Sequence, residues 1–323
     1  MPAAAGPLPA PDPAFARWAW GVLAYTVAVI LWGAVVRATL HGDGCGEHWP
    51  LCNGELVPAA PTTKTLVELA HRVTSGLAFV GALALFVMAR RRFAEGHAAR
   101  RAARWGLVLM TTEALIGAGL VVFKMVASNR DVARGWWVAG HLGNTFLLLA
   151  ALSLTAHAAA GGRLPRLRGV LGVKLGAVLG GVMLLGASGA IVALGDTLFP
   201  VATLAEGLAQ DVDPESHLFV KLRTVHPLLG LVVGLGALLL AAEVGSERPG
   251  LRPHAWLVAA LFLAQTALGF LNVALLAPLW AQLAHLALAD ALWVVLVLLA
   301  AQACPSPDEA WKTRVRVPAL GSS

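Results

Sequence analysis

Eight stretches of roughly 20 apolar residues constrain this chain more than any other feature of its sequence. About 20 helical residues are needed to cross the apolar core of a bilayer. Such stretches form helices, because lipid offers no hydrogen-bond partners to the backbone and a helix pairs its own amides and carbonyls. The 323 residues are 58% hydrophobic and only 13% charged, whereas soluble domains carry roughly 25% charged residues. The chain is therefore predicted to be an all-α integral membrane protein with eight transmembrane helices.

The predicted spans are separated by breaks rich in proline, glycine and arginine. They cover residues at about 17–40, 65–89, 104–127, 136–159, 172–194, 219–242, 255–276 and 281–303. The segment before the first span lacks the basic region of a cleavable signal peptide. We therefore expect the first apolar stretch to cross the membrane.

Basic residues are distributed unevenly between the loops. The loops after the second, fourth and sixth spans are rich in arginine, and the C-terminal tail carries Lys312, Arg314 and Arg316. The loops on the other side are longer and less basic. Because Lys and Arg collect in cytoplasmic loops, both termini are predicted to be cytoplasmic. This bias accounts for the net charge of +6, so no nucleic-acid partner is expected.

Four histidines lie at matching depth, each about one turn inside the start of an alternate span: His71, His141, His226 and His285. An ionisable residue inside a membrane helix is costly and indicates a function, and imidazole is a common axial ligand of heme iron. Within each half of the chain, the two histidine-bearing helices run in the same direction. We therefore predict one iron porphyrin between His71 and His141 and another between His226 and His285, near the outer surface.

The placement of these histidines also indicates an internal duplication, each half having one on its second and one on its fourth helix. Gly33-Ala34-Val35-Val36 in the first span matches Gly189-Ala190-Ile191-Val192 in the fifth. We predict two pseudo-symmetric four-helix bundles, related by an axis along the membrane normal. The predicted units are a cytoplasmic tail at 1–16, an N-terminal half at 17–160, a cytoplasmic linker at 161–171, a C-terminal half at 172–303 and a cytoplasmic tail at 304–323.

The two halves differ beside the first histidine of each pair. Glu68 stands three residues before His71, whereas Arg223 stands three residues before His226, and residues three apart share a helix face. A carboxylate beside a porphyrin can act as a base, while a guanidinium suits a propionate. The N-terminal site is thus predicted to be reactive and the C-terminal site to hold a fixed cofactor. The alternative is that Glu68 is an interfacial residue bonded to a loop. Glu113, inside the third span, is interpreted as a helix–helix hydrogen-bonding residue.

The three cysteines are unevenly placed, because Cys45 and Cys52 share one loop and Cys304 is remote. This pattern suits one local disulfide and one free thiol, if the loop faces an oxidising compartment. Zinc binding with His41 and His48 is a weaker alternative, since the spacing matches no recognised zinc motif. A redox role for the two thiols is a third interpretation.

Together these motifs resemble the heme A synthase family. The resemblance is carried by Cys45 and Cys52 around Trp49-Pro50-Leu51-Cys52-Asn53-Gly54, by Glu68-x-x-His71-Arg72, by Arg223-x-x-His226-Pro227, and by Leu271-Asn272-Val273 with His285-Leu286. It runs from the first span to the eighth. The stretch 40–43 departs from the Gly/Ser-rich segment expected there.

The resemblance implies an oxidoreductase acting on a CH group. The C8 methyl of heme O would become a formyl through successive hydroxylations, with water as the oxygen source, supplying heme A for terminal oxidases. The cofactor implied is a heme b. The site residues implied are His226 and His285 for heme b, His71 and His141 around the substrate heme, Glu68 for the chemistry, and a disulfide between Cys45 and Cys52.

We expect a multi-pass protein of the bacterial cytoplasmic membrane with its heme sites toward the outer face. Its expected partners are heme O, the lipid bilayer, heme O synthase and a membrane electron acceptor, and an oligomer is compatible with the sequence. The main alternative is a diheme cytochrome b-type electron-transfer protein, which would share the four ligands. A transporter is disfavoured, because no pair of spans is interrupted by Gly and Pro as at a midplane transport site.

Overall fold

The computed structural model describes residues 11–306, so the predicted tail features beyond that range, including Lys312, Arg314 and Arg316, lie outside the described residues. Within it the chain forms nine α-helices and no β-strand. The helices are α1 (Pro13–Ala38), α2 (Thr63–Arg92), α3 (Ala98–Val122), α4 (Val132–Ala159), α5 (Gly169–Leu198), α6 (Leu204–Val212), α7 (Leu218–Glu247), α8 (Arg252–Ala274) and α9 (Leu279–Ala303). All except α6 are long and apolar enough to cross a membrane. The predicted all-α fold with eight spans is confirmed.

Capping residues fix where the spans begin. Asp12 accepts a hydrogen bond from the Phe15 amide at 2.9 Å and precedes Pro13 at the start of α1. Asp131 caps α4 by accepting from the Ala133 amide at 2.8 Å. Such side chains satisfy amides that have no partner inside the helix. Both α2 and α4 begin earlier than their apolar stretches predict, because their first turns are helical but partly polar.

Helices α4 and α9 form the centre of the bundle and join the two halves of the chain. Helix α4 packs against α1, α3, α5 and α9, and α9 also packs against α1, α5 and α8. Between them the rings of Phe146 and Trp293 stack with centroids 5.1 Å apart, and the Trp293 indole N–H donates to the Phe146 carbonyl. A buried indole usually needs such an acceptor. The two halves therefore share one apolar interior, while their pseudo-symmetry stays a prediction.

Helix α6 lies between α5 and α7 and was not predicted. Its N-terminal cap is Thr203, whose hydroxyl accepts from the Glu206 amide at 3.2 Å. This nine-residue helix carries Glu206 and Asp211, so it is too short and too polar to resemble a span. It packs against α7, which places its carboxylates near that helix.

The helices that bear the four histidines all begin at the same end of the bundle, called the histidine end below. At this end Arg37 of α1 donates to Thr197 of α5 at 2.7 Å and to Gln282 of α9 at 2.9 Å. The ends of α1 and α5 therefore meet the start of α9. The four histidines lie about two turns inside these helices rather than one, and α2, α4 and α9 begin two to four residues earlier than predicted.

Candidate functional site

The four histidines come together in the two pairs that the sequence predicts. His71 of α2 lies close enough to His141 of α4 for the two imidazoles to interact electrostatically. The same is true of His285 of α9 and His226 of α7. All four side chains are half-buried. Each half therefore contains two neighbouring imidazoles at the histidine end, while the binding of iron by these pairs stays a prediction.

Glycines give the imidazoles their space. A Cβ added to Gly33 of α1 would lie 2.9 Å from Cε1 of His71, and one added to Gly189 of α5 would lie 2.9 Å from Cε1 of His226. These two glycines open the matching motifs noted in the sequence. On α8 a Cβ at Gly269 would lie 3.2 Å from His285. Three imidazoles thus approach helix backbone with their Cε1 atoms nearest, in positions that a larger residue than glycine would obstruct.

The ring nitrogen Nδ1 has three kinds of environment among the four histidines. In His226 it lies 2.9 Å from the Ser188 hydroxyl, and in His141 it lies 3.0 Å from Oε1 of Glu113. In His71 and His285 the Nδ1 atom is buried without a hydrogen-bond partner among residues 11–306. Two of the four imidazoles are therefore held by no hydrogen bond at Nδ1 within the part of the chain that the structure describes.

Glu68 lies one turn before His71, as predicted, but both of its carboxylate oxygens are engaged. Oε2 accepts from the Cys45 amide at 2.9 Å, and Oε1 forms an ion pair with Arg72 at 2.5 Å. Glu68 is only 4% exposed. In this arrangement the carboxylate is fixed to the loop, which is the alternative that the sequence left open. Its role in chemistry stays a prediction.

The loop that Glu68 holds is closed by a disulfide between Cys45 and Cys52, which confirms the predicted disulfide. We call the segment from Cys45 to Cys52 the disulfide hairpin. Arg72 donates through one guanidinium nitrogen to the carbonyls of His48 and Leu51, both at 2.6 Å. The start of α2 therefore holds the hairpin through a carboxylate and a guanidinium together. Cys304 is the free cysteine of the described residues.

Arg223, the predicted propionate partner, is held by carboxylates of its own chain. Its Nε lies 2.8 Å from Asp196 at the end of α5, and a second nitrogen lies 3.8 Å from Asp211 of α6. It also donates to the Phe199 carbonyl at 2.9 Å. Burial raises the pKa of Asp211 above its ordinary value, and the nearby Arg223 opposes this rise. These contacts fix the guanidinium one turn before His226.

Two further side chains contact the histidines, and the sequence does not predict either contact. The sequence predicts that Glu113 forms hydrogen bonds between helices, and it does join α3 to α4, but it also contacts His141. The sequence does not distinguish Ser188 as a site residue, because serine is common in membrane helices, where its hydroxyl can bond to a backbone carbonyl. The sequence feature that could have assigned Glu113 to the site is its position within the third span, since carboxylates inside membrane helices are rare and indicate a function.

Comparisons with known proteins place the chain in a family. Residues 16–297 match the sequence profile of the COX15-CtaA family, described as cytochrome oxidase assembly protein. A relative from Thermus thermophilus, named protoheme IX farnesyltransferase, is 48% identical over 298 residues, which are 90% of this chain and 49% of the relative. The chain thus spans about half the length of that relative.

Shorter matches join the chain to proteins named heme A synthase. The protein from Alkalihalophilus pseudofirmus is 38% identical over 126 residues, which are 39% of this chain and 40% of the relative. The protein from Bacillus cereus strain AH187 is 39% identical over 95 residues, which are 29% of this chain and 30% of the relative.

Proposed function

Because this chain belongs to the COX15-CtaA family of cytochrome oxidase assembly proteins, we propose that it is a heme A synthase, a membrane oxidoreductase that converts heme O into heme A. The observation that carries the proposal is the presence of two imidazole pairs at one end of an eight-span bundle, three of these rings lying against glycine. The relatives named heme A synthase support the same role.

Under this proposal the two pairs have different tasks. His71 and His141 bracket the substrate heme O, and His226 and His285 hold a heme b. Ser188 supports the second assignment, because a partner on Nδ1 of His226 fixes the ring and leaves Nε2 for a metal. When bound, heme b supplies a carrier that takes up and releases one electron at a time.

The proposed reaction needs a base as well as an electron acceptor. Oxidation of the C8 methyl to a formyl consumes one water and releases four protons and four electrons, and the electrons pass to a membrane electron acceptor. Glu68 is the carboxylate beside His71, and we propose that it accepts a proton or stabilises positive charge as the methyl carbon is oxidised. Its ion pair with Arg72 supports a carboxylate that stays charged until it is used.

The proposed orientation places the histidine end outside the cytoplasm of a bacterial inner membrane, with both termini inside. The opposite end of the bundle holds the arginine-rich runs, such as Arg90 to Arg92 in the last turn of α2, in agreement with the positive-inside rule. The disulfide at the histidine end supports the same orientation, because disulfides persist in oxidising compartments.

The Thermus relative suggests a second candidate function, because its name assigns it farnesyl transfer to protoheme IX. This chain matches only about half of that protein, so the named activity can belong to the other half. On our proposal, a prenyltransferase supplies the substrate that this chain oxidises, and heme O synthase is a candidate partner.

Heme extraction and mass analysis separate these functions. Membranes containing the protein are supplied either with heme O or with protoheme IX plus farnesyl diphosphate. We expect heme A, or its hydroxymethyl precursor, from heme O alone. Heme O formed from the second mixture would instead show a farnesyltransferase, and unchanged heme O beside two firmly bound hemes b would show a diheme cytochrome.

Matched histidine variants test whether the product depends on the proposed site. His141→Ala should abolish heme A formation, because it removes one of the two imidazoles at the substrate. His157→Ala changes a histidine near the other end of the same helix and should leave product formation within about twofold of the unaltered protein, as expected for a residue far from the reacting group. Equal loss in both variants would mean that His141 acts only through stability.

A further inference from the structure

Glu113 of α3 lies at the centre of a polar cluster inside the N-terminal half. Its Oε1 atom accepts from the Thr145 hydroxyl and lies 3.0 Å from Nδ1 of His141, and its Oε2 atom accepts from the Asn144 amide. Asn144 is fixed in turn by the Thr112 hydroxyl at 2.6 Å. These contacts surround both oxygens of a half-buried carboxylate with donors, an arrangement that stabilises its negative charge.

His141 is distinguished from the other three histidines by this contact. Within residues 11–306, the Nδ1 atoms of His71 and His285 have no hydrogen-bond partner, and the partner of His226 is the neutral hydroxyl of Ser188. A carboxylate therefore lies beside one imidazole of the pair proposed for the substrate. Among the residues that the structure describes, no carboxylate contacts Nδ1 in the pair proposed for the resident cofactor.

The contact is short, but the ring N–H does not point directly at the carboxylate. In this orientation it is an electrostatic contact, and a modest turn of the imidazole about its last side-chain torsion would align it. That torsion is soft in histidine. A ligand bound at Nε2 would select the aligned orientation, because the ring plane must then suit both nitrogens.

We infer that Glu113 is a positioning residue that holds the His141 imidazole with Nδ1–H toward its carboxylate and Nε2 toward the iron of the substrate heme. This inference rests on the proposed function and deepens it. A carboxylate on the far nitrogen fixes the orientation of a metal-binding histidine and makes it a stronger electron donor. A stronger donor stabilises the oxidised form of the metal, which suits a porphyrin from which electrons are removed.

The test compares Glu113→Gln with Ser188→Ala in the purified full-length protein loaded with heme O. The first variant keeps the size of the side chain and removes its charge, and the second removes the neutral partner of His226. Reduction potentials, electron paramagnetic resonance spectra and heme O affinities are measured for each. We expect Glu113→Gln to raise the potential of the heme bound through His141 and to weaken its binding roughly 10–100-fold. Ser188→Ala should leave that heme unchanged.

A purely structural role for Glu113 would give a different result. If it only joins α3 to α4, Glu113→Gln would lower the thermal unfolding midpoint without moving the potential or the resonance spectrum of the folded fraction, and the inference would be wrong. Glu113→Asp retains the charge and should keep the spectrum close to that of the unaltered protein. If Glu113→Gln does not fold, a potential raised in Glu113→Asp as far as in a neutral Glu113→Asn variant would equally overturn the inference.

The outcome is separable from that of the proposed function. An unaltered protein that makes heme A, together with a Glu113→Gln variant of unchanged potential, rejects the inference alone. If His141→Ala leaves heme O binding and spectrum unchanged, then no heme is bound through His141, and both proposals fall.

Discussion

Gly33 lies directly against the imidazole of His71, so close that a methyl group on its α-carbon would be 2.9 Å from Cε1. The same distance separates a methyl at Gly189 from His226. Since real side chains do not tolerate such contacts, each glycine determines where its histidine can lie. The position of the proposed porphyrin ligands is therefore set by the first helix of each half as well as by the helix that bears the histidine.

Gly33→Ala tests this relationship. The added methyl should push the His71 ring out of position at a cost of about 1–3 kcal/mol, which lowers heme O affinity roughly 5–150-fold. Gly21→Ala is the matched control, because it lies on the same helix and a Cβ there would meet nothing within 4 Å. Binding titrations compare the two variants, and equal affinities would show that Gly33 does not set the site.

Removal of either proposed cofactor ligand should deplete the resident b-type heme. His226→Ala or His285→Ala leaves one axial position of the iron without its imidazole, so we expect loss of the bis-histidine absorption spectrum. His254→Ala, near the start of α8 at the opposite end of the bundle, should keep it. An unchanged spectrum in both ligand variants would place the cofactor elsewhere.

Glu68→Gln should abolish substrate oxidation while the cofactor heme stays bound. A neutral amide cannot accept a proton or balance a developing positive charge as a carboxylate does. Glu47→Gln is the control, since Glu47 is an exposed carboxylate paired with Lys124 at 2.6 Å. Mass analysis of the heme product measures substrate oxidation in both variants. Normal turnover in Glu68→Gln would show that Glu68 takes no part in the reaction.

Arg72→Leu separates the structural contact of Glu68 from its proposed chemistry. The substitution leaves a buried carboxylate without its partner and releases the carbonyls of the disulfide hairpin. Loss of one partner of a buried ion pair costs about 3–5 kcal/mol, so we expect a lower unfolding midpoint and faster proteolysis between Cys45 and Cys52. Protection equal to that of the unaltered protein would show that the hairpin is held by other contacts.

The disulfide should stabilise the fold through this hairpin. Its removal in a Cys45→Ser, Cys52→Ser variant should lower the free energy of unfolding by about 2 kcal/mol, because the closed loop is short. Cys304→Ser, which changes the free thiol, should have no comparable effect. Thermal unfolding in detergent measures both, and equal midpoints would mean that the disulfide contributes little.

The sequence predicts the spans and the site to different degrees. Long apolar stretches identify eight helices, because the backbone in lipid must form its hydrogen bonds within the helix. Helix α6 is missed, because a short polar helix depends on its cap at Thr203 and on packing against α7. The start of α2 at Thr63 is also missed, because its first turn is polar and the predicted span was located by apolar residues alone.

Within the site, spacing along one helix predicts which side chains share a face, but it does not predict contacts between helices. It places Glu68 beside His71, yet the ion pair with Arg72 and the bond to the Cys45 amide depend on how the loop folds back. The carboxylate partners of Arg223 come from α5 and α6. These contacts become visible only when the helices are packed.

The most direct test of the account is an experimental structure of the protein loaded with heme O and heme b. We predict two irons at the histidine end, one between His71 and His141 and one between His226 and His285, with the substrate in the first site. Porphyrins bound away from these imidazoles, or a pair whose side chains cannot reach one iron, would contradict it.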